Sequence, residues 1–121
     1  MLGYVCGNDL SARDQQQADL QWTRTKGIDT FCPARPWTET ELRARDLSII
    51  GRVSGKVRKQ SCKSEMLFSI EQLISCIGRI MTFEPRDVIL TGTPEGVGIL
   101  AARDVVEVEI EGLGYISNRV E

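Results

Sequence analysis

Strict alternation of apolar and acidic residues marks the end of this chain. Val106, Val108 and Ile110 alternate with three glutamates within residues 105–111. A period of two places the aliphatic side chains on one face of a strand and the carboxylates on the other, so one face covers a core and the other meets water. Gly112-Leu113-Gly114 predicts a turn, and residues 115–120 predict a returning strand. We therefore expect an antiparallel hairpin here.

A second hairpin is predicted upstream, where residues 47–53 and 56–58 flank the two-residue turn Ser54-Gly55. Short strands are also predicted at residues 4–6 and 88–90, and the continuous apolar run of the latter indicates burial on both faces. This abundance of strands and hairpins predicts a mixed, β-rich α+β fold rather than a doubly wound α/β fold.

Two helices are expected. One begins near residue 10, with Asp9 or Ser11 as its cap, and ends near Trp22. The other covers residues 70–81, because apolar residues recur at helical spacing after a Ser69 and Gln72 capping box. Residues 23–37 have no period and predict an ordered, irregular loop.

Composition excludes several function classes. The 121 residues suit one domain, residues 1–121, and the net charge of −2 gives no electrostatic case for nucleic acid or an anionic membrane. No apolar run approaches the roughly 18 residues of a spanning helix, and the opening residues lack a basic leader, so we expect a cytoplasmic protein.

The chain has no histidine, which excludes a Ser-His-Asp triad and histidine base catalysis within it. Its four cysteines form no C-x-x-C pair and are expected to be reduced, buried hydrophobes.

Two stretches combine residue types that can bind anions or metals. Asp9, Arg13 and Gln16 could converge at the start of the first helix to bind a metal and a carboxylate, but an exposed helix capped by Asp9 also explains them. Residues 91–98 contain three glycines but match no phosphate-binding loop, so they form either a structural turn or an anion site at Thr91 and Thr93.

Lys26 lies in the irregular segment and is either a solvated surface charge or a cation beside a substrate carboxylate or enolate oxygen.

Taken in order, these stretches resemble the fumarylacetoacetate hydrolase family, with the look of its diene-dioate isomerase and acylpyruvase-like members. The resemblance rests on two motifs in particular: Asn8-Asp9-Leu10-Ser11-Ala12-Arg13-Asp14 and Leu90-Thr91-Gly92-Thr93-Pro94-Glu95-Gly96-Val97-Gly98. It implies a β-sandwich roll with short helices, usually a homodimer. It also implies Mg²⁺ or Mn²⁺ bound by carboxylates, and small 2-oxo acid or enol substrates of aromatic catabolism. The reactions would be C–C bond hydrolysis, enol–keto isomerisation or decarboxylation.

The resemblance implies a role for each matched residue. Asp9 corresponds to a metal ligand, Arg13 and Gln16 to side chains lining the substrate site, Lys26 to the active-site lysine and Thr93 to the hydroxyl that binds the substrate carboxylate.

The match covers the carboxyl-terminal half of the family domain. The paired metal-binding glutamates and the histidine and glutamate that activate water lie upstream of it, so we expect one of three metal carboxylates here. Arg35, Arg86 and Arg103 occupy turn positions where the family commonly has glycine. The alternatives are an enzyme chain whose other half lies elsewhere, an inactive truncated relic, and a non-enzymatic module that binds an oxo acid or a partner protein.

Overall fold

A four-stranded antiparallel sheet organises the chain. The computed structural model describes residues 1–42 and 46–121. Its strands run in the order β2-β1-β3-β4; they are β1 (Ser48–Val53), β2 (Lys56–Cys62), β3 (Val105–Ile110) and β4 (Gly114–Arg119). Both predicted hairpins are confirmed, and the pairing of β1 with β3 joins them into one sheet. Arg52 on β1 forms an ion pair with Glu109 on β3 at 2.7 Å.

Three short helices and a 3₁₀ turn accompany the sheet: α1 (Arg13–Ala18), α2 (Thr23–Lys26), the 3₁₀ turn at Lys63–Glu65, and α3 (Ile70–Gly78). The predicted capping box of α3 is confirmed. The Ser69 hydroxyl accepts from the Gln72 backbone N–H at 3.3 Å, and the Gln72 side chain accepts from the Ser69 N–H at 2.8 Å.

Three local predictions were wrong. α1 begins at Arg13 and ends at Ala18, not near residues 10 and 22; its N-cap is Ala12, without a side-chain cap, and Asp9 and Ser11 contact Lys26 instead. The segment predicted as an irregular loop contains α2, a single turn that is too short to show a helical period. Residues 88–90 form no strand; Val88 is 59% exposed, since this apolar run has no hydrogen-bonded neighbouring strand in the described parts of the chain.

The amino-terminal strand is reduced to two isolated bridges. Tyr4 pairs with Glu39, and Gly7 pairs with Ala34, both antiparallel. Ladder hydrogen bonds therefore hold residues 4–7 against residues 34–39, without a continuous strand between them.

Few apolar side chains are buried. Among the described residues only Cys6 and Leu113 are buried hydrophobes, whereas Leu20, Leu67 and Ile99 are at least 90% exposed. An exposed apolar surface of this extent is typical of a protein that packs against another polypeptide. No helix in the described residues is long and apolar enough to cross a membrane.

The cysteines do not share one environment. All four are free thiols. The prediction of a buried hydrophobe is right for Cys6, whose thiol donates to the Val108 carbonyl at 3.4 Å. It is wrong for Cys32 and Cys76, which are exposed.

Candidate functional site

Lys26 and Asp9 meet although 17 residues separate them. The Lys26 ammonium donates to Asp9 Oδ2 at 2.5 Å and to Ser11 Oγ at 3.1 Å. An ammonium has three N–H donors, and these two contacts leave the third for another acceptor. Both side chains are 35% exposed, so the ion pair itself contributes only modest stability. Its importance is geometric, because it fixes one cation and one carboxylate side by side.

Backbone hydrogen bonds bring these two side chains together. The Leu10 N–H donates to the Phe31 carbonyl at 2.9 Å, and the Ala12 N–H donates to the Thr25 carbonyl at 3.2 Å. Thr25 is fully buried, which anchors α2 immediately before Lys26. The segment after the amino-terminal bridges is thereby clamped against the segment around α2.

Arg13 and Gln16 lie on one face of α1, as their spacing predicted. The Arg13 guanidinium donates to Gln16 Oε1 at 2.5 Å. Because the amide oxygen of Gln16 is used in this way, its NH₂ group is oriented to donate to a ligand. The Arg13 and Gln16 side chains thus offer N–H donors, which suit carboxylate oxygens.

Thr93 is held by a residue that sequence reasoning missed. Lys59 on β2 donates its ammonium to Thr93 Oγ1 at 2.6 Å. Burial lowers the pKa of Lys59, the positive charge of Arg13 lowers it further, and the carboxylate of Asp9 partly opposes them. The hydrogen bond from Lys59 thus positions the Thr93 hydroxyl.

Glycines make room for the Lys59 side chain. Gly51 lies opposite Lys59 in the sheet, and a Cβ on Gly51 would be 3.3 Å from the Lys59 Cβ. Gly96 has φ +99°, and a Cβ there would clash with the Arg58 carbonyl oxygen. Gly96 thus has a structural role, since it allows the loop to approach β2 closely.

The donor set does not complete a metal site. Asp9 is the carboxylate of the cluster, and it is already paired with Lys26. Among residues 1–42 and 46–121, no three histidine, cysteine, aspartate or glutamate side chains group closely enough to bind a metal ion. A single carboxylate is a poor Mg²⁺ site, because this ion dehydrates reluctantly. These residues alone do not fit a resident divalent cation.

The cluster is instead well suited to an anion. Arg13, Lys26 and Lys59 are the cations of three hydrogen-bonded pairs, and Asp9, the carboxylate among them, is paired with Lys26. Hydroxyl and amide donors lie among these charges at Ser11, Gln16 and Thr93. A surface depression of about 370 Å³ along α3 has none of these residues in its lining.

The chain is 49% identical over 123 residues to Protein Rv2993c of Mycobacterium tuberculosis, covering 99% of this chain and 46% of that protein. It is 41% identical over 130 residues to the mitochondrial oxaloacetate tautomerase FAHD2A of Bos taurus, covering 98% of this chain and 41% of the relative.

Among solved structures, a 5-carboxymethyl-2-hydroxymuconate delta-isomerase from Mycobacterium smegmatis superposes with a TM-score of 0.95 at 50% identity. The match covers 98% of this chain and 47% of that one. The chain thus spans about half the length of the relatives it matches. The model of the fumarylacetoacetate (FAA) hydrolase carboxyl-terminal domain matches residues 1–121. With its α+β fold and the order of its motifs, the chain belongs to the fumarylacetoacetate hydrolase family.

Proposed function

We propose that this chain contributes the carboxylate-binding half of an enzyme site for 2-oxo acids and their enols. The observation that carries the proposal is the Lys26 ammonium, fixed between Asp9 and Ser11 with one donor left over. A fixed cation next to a substrate oxygen stabilises the negative charge that develops there when an enolate forms. Lys26 is therefore the catalytic residue of the proposed site.

The other residues bind and orient the substrate. Thr93 accepts from Lys59, so its own O–H is left to donate to a substrate carboxylate. Arg13 and Gln16 present N–H groups from α1 to the same anion. Orientation by several donors converts a loose encounter into a reactive geometry, which accounts for much of enzymatic rate enhancement.

Enol–keto isomerisation is the reaction we favour. It moves one proton between the enol oxygen and the carbon next to the oxygen-bearing carbon, and it needs no water-activating base. The names of two relatives support this choice, since one is a delta-isomerase and the other an oxaloacetate tautomerase. C–C bond hydrolysis and decarboxylation pass through the same enolate charge and are the alternatives within the family.

We infer that Asp9 is this chain's ligand to a Mg²⁺ or Mn²⁺ ion whose other ligands come from outside the described residues. When bound, such an ion would supply positive charge for an enolate. We further propose homodimerisation, supported by exposed apolar side chains such as Leu20 and Leu67, and a cytoplasmic location, supported by four unpaired thiols.

The proposal is tested by calorimetric titration of oxalate, an enolate mimic, into the chain with and without Mn²⁺. We expect oxalate to bind, and to bind about tenfold more weakly to Lys26→Met, which loses a charge-assisted hydrogen bond. Asp9→Asn should abolish any strengthening by Mn²⁺. The matched control is Asp14→Asn, an exposed carboxylate on α1 whose loss should change neither value.

Absence of oxalate binding under both conditions would refute the proposal. Ketonisation of enol-oxaloacetate, followed by ultraviolet absorbance, adds a catalytic readout for the same variants. Loss of that rate in Lys26→Met, with Asp14→Asn unaffected, would identify Lys26 as catalytic.

A non-enzymatic binding module is the second candidate. The exposed apolar side chains favour it, because they offer a surface to a partner protein. Oxalate binding without any acceleration of ketonisation would support this alternative over the enzyme.

A further inference from the structure

Two neighbouring cations of β2 border the loop of residues 91–98. The Lys59 ammonium donates to Thr93 Oγ1 at 2.6 Å. The Arg58 guanidinium lies by Gly98, with its Nη1 3.9 Å from the position that a Cβ would take there. An amine, a hydroxyl and a guanidinium are therefore held along one short segment of the chain.

Packing fixes the aliphatic stem of Lys59. A Cβ on Gly51 would be 3.3 Å from the Lys59 Cβ, and a Cβ on Gly96 would be 3.3 Å from the Lys59 Cγ. The lysine is half-buried between these glycines, whereas Thr93 is exposed. The position of the amine is therefore restricted, and a small molecule can reach it from the side of the Thr93 hydroxyl.

The hydrogen-bond partner of Lys59 differs in kind from that of Lys26. Lys26 forms an ion pair with Asp9 at 2.5 Å, and a carboxylate stabilises the charged ammonium. Lys59 is bonded to the hydroxyl of Thr93, which can accept from an ammonium or donate to a neutral amine. In the part of the chain that the structure describes, no carboxylate forms an ion pair with Lys59. Its partner therefore does not hold it in the charged state.

The surroundings of Lys59 also favour the neutral amine. Burial lowers the pKa of Lys59 below its ordinary 10.5, and the positive charge of Arg13 lowers it further, while the carboxylate of Asp9 opposes both. Desolvation and a neighbouring cation are the two influences that make a lysine amine nucleophilic towards carbonyl carbon. The hydrogen bonding and the environment of Lys59 thus point to the same chemistry.

The loop beside Lys59 has donors left for an acid group. Within residues 1–42 and 46–121, no backbone N–H of residues 91–98 donates a hydrogen bond. Backbone N–H groups and a guanidinium are the donors that bind carboxylates in proteins. An acid group can therefore be held by Arg58 and this loop while a carbonyl of the same molecule meets the amine.

We propose that Lys59 is a nucleophilic amine that forms an imine with a small anionic aldehyde, whose acid group binds Arg58 and the N–H groups of the loop. The neutral amine adds to the aldehyde carbon, while the aldehyde oxygen takes a proton from the Thr93 hydroxyl and the nitrogen returns one to Thr93. The new hydroxyl then leaves with the last nitrogen proton as water, and the C=N bond forms. This chemistry needs neither Lys26 nor a metal ion, so it goes beyond the proposed function.

Glyoxylate is the probe for this reaction, with cyanoborohydride to reduce the imine to a stable amine and peptide mass spectrometry to locate it. Lys56 is the matched control within the same molecule, because it is an exposed lysine of the same strand. We expect Lys59 to be modified at least about tenfold faster than Lys56, since Thr93 supplies a proton to the carbonyl oxygen. In urea, where the fold is lost, the two rates should become equal.

Three variants separate the parts of the proposed site. Thr93→Val should slow modification of Lys59 about tenfold, and Thr93→Ser, which keeps the hydroxyl, should restore most of the rate. Arg58→Met should slow the reaction with glyoxylate and leave the reaction with acetaldehyde, a neutral aldehyde, unchanged. The rate at Lys56 should be the same in every variant.

Equal rates at Lys59 and Lys56 in the folded chain, or a preference for Lys59 that persists in urea, would overturn the proposal. An Arg58→Met variant that reacts with glyoxylate as the intact chain does would refute the binding of the acid group. Oxalate has no aldehyde carbon, so its binding reports on the proposed function alone. Oxalate binding that depends on Lys26, without selective modification of Lys59, would refute the imine and leave the proposed function standing.

Discussion

Two arginines adopt a backbone conformation that favours glycine. Arg86 has φ 81° and Arg103 has φ 74°, both in the left-handed region where a side chain crowds the following carbonyl oxygen. Both residues are exposed. The backbone N–H of Arg103 donates to the Val120 carbonyl at 2.8 Å, a bond that glycine would keep. Replacing each arginine by glycine should therefore relieve strain and preserve the turn.

The magnitude follows from two opposing contributions. A left-handed conformation costs a non-glycine residue about 1–2 kcal/mol. Glycine lowers the free energy of unfolding by about 0.4–1 kcal/mol, because the unfolded chain has more conformational freedom with glycine than with arginine. The difference is a stabilisation of about 1 kcal/mol for each substitution. The entropy of unfolding, about 2.1 cal/mol/K per residue, amounts to about 0.25 kcal/mol/K for 121 residues. Each substitution should thus raise Tm by about 4 °C, and the double variant should gain about 8 °C.

Thermal unfolding followed by circular dichroism measures this effect for Arg86→Gly, Arg103→Gly and the double variant. Arg79→Gly is the matched control, because Arg79 has an ordinary helical φ of −80° at the end of α3. There glycine should lower Tm, since only its entropic cost remains. If the two turn substitutions lower Tm as Arg79→Gly does, positive φ is not a source of strain in this chain.

Arg35, the third arginine at a turn where glycine was expected, does not have positive φ; it stacks over Trp37 at 3.7 Å.

Three further predictions concern stability and reactivity. Ser69→Ala removes the capping hydroxyl of α3 and should lower the free energy of unfolding in urea by about 1 kcal/mol, whereas an unchanged value would mean that the cap contributes nothing. Hydrogen bonds from a backbone N–H and from the Ser54 hydroxyl lower the pKa of Asp104 below its ordinary 3.8. The ionised Asp104 therefore stabilises the fold fully above its unfolded-state pKa, and this stabilisation is lost as pH falls through its folded-state pKa. Asp104→Asn should make the free energy of unfolding fall less steeply with decreasing pH. An equally steep fall would contradict this. Burial raises the pKa of the Cys6 thiol, so a thiol reagent should label exposed Cys76 rapidly and Cys6 only after unfolding, and early labelling of Cys6 would argue against its burial.

Local sequence signals predicted the parts of the fold that depend on neighbouring residues. The alternating pattern of β3, the Ser54-Gly55 turn and the capping box of α3 all involve contacts within a few residues, and all three appear in the structure. The prediction of a strand at residues 88–90 was wrong because it depended on contacts with distant parts of the chain. A continuous apolar run predicts burial but cannot tell which element would cover it, and Val88 and Leu90 are exposed in the structure.

The candidate site likewise contains residues that the sequence predicted and one residue, Lys59, that it did not. Resemblance to a family brought Asp9, Lys26 and Thr93 to attention, and the structure joins the first two directly. Lys59 was missed because of the register of its hairpin. A simple two-residue turn would pair Gly51 with Arg58, but a bulge beside Gly51 shifts the pairing by one residue, to Lys59. A shift of one residue moves a side chain to the other face of the sheet. No pattern in residues 56–62 predicts that bulge.

The site and the apolar surface depend on different interactions. The pairing of Asp9 with Lys26 is held by backbone hydrogen bonds between residues 10–12 and 25–31, and Lys59 is held by the sheet. Both supports are contacts within this chain. Overall stability, in contrast, is limited by how little apolar surface the chain buries, and covering that surface would stabilise it in proportion to the area removed from water. A partner that covers the apolar surface would therefore raise the stability of the whole fold, while the positions of the anion-binding side chains would remain those that the local contacts already fix.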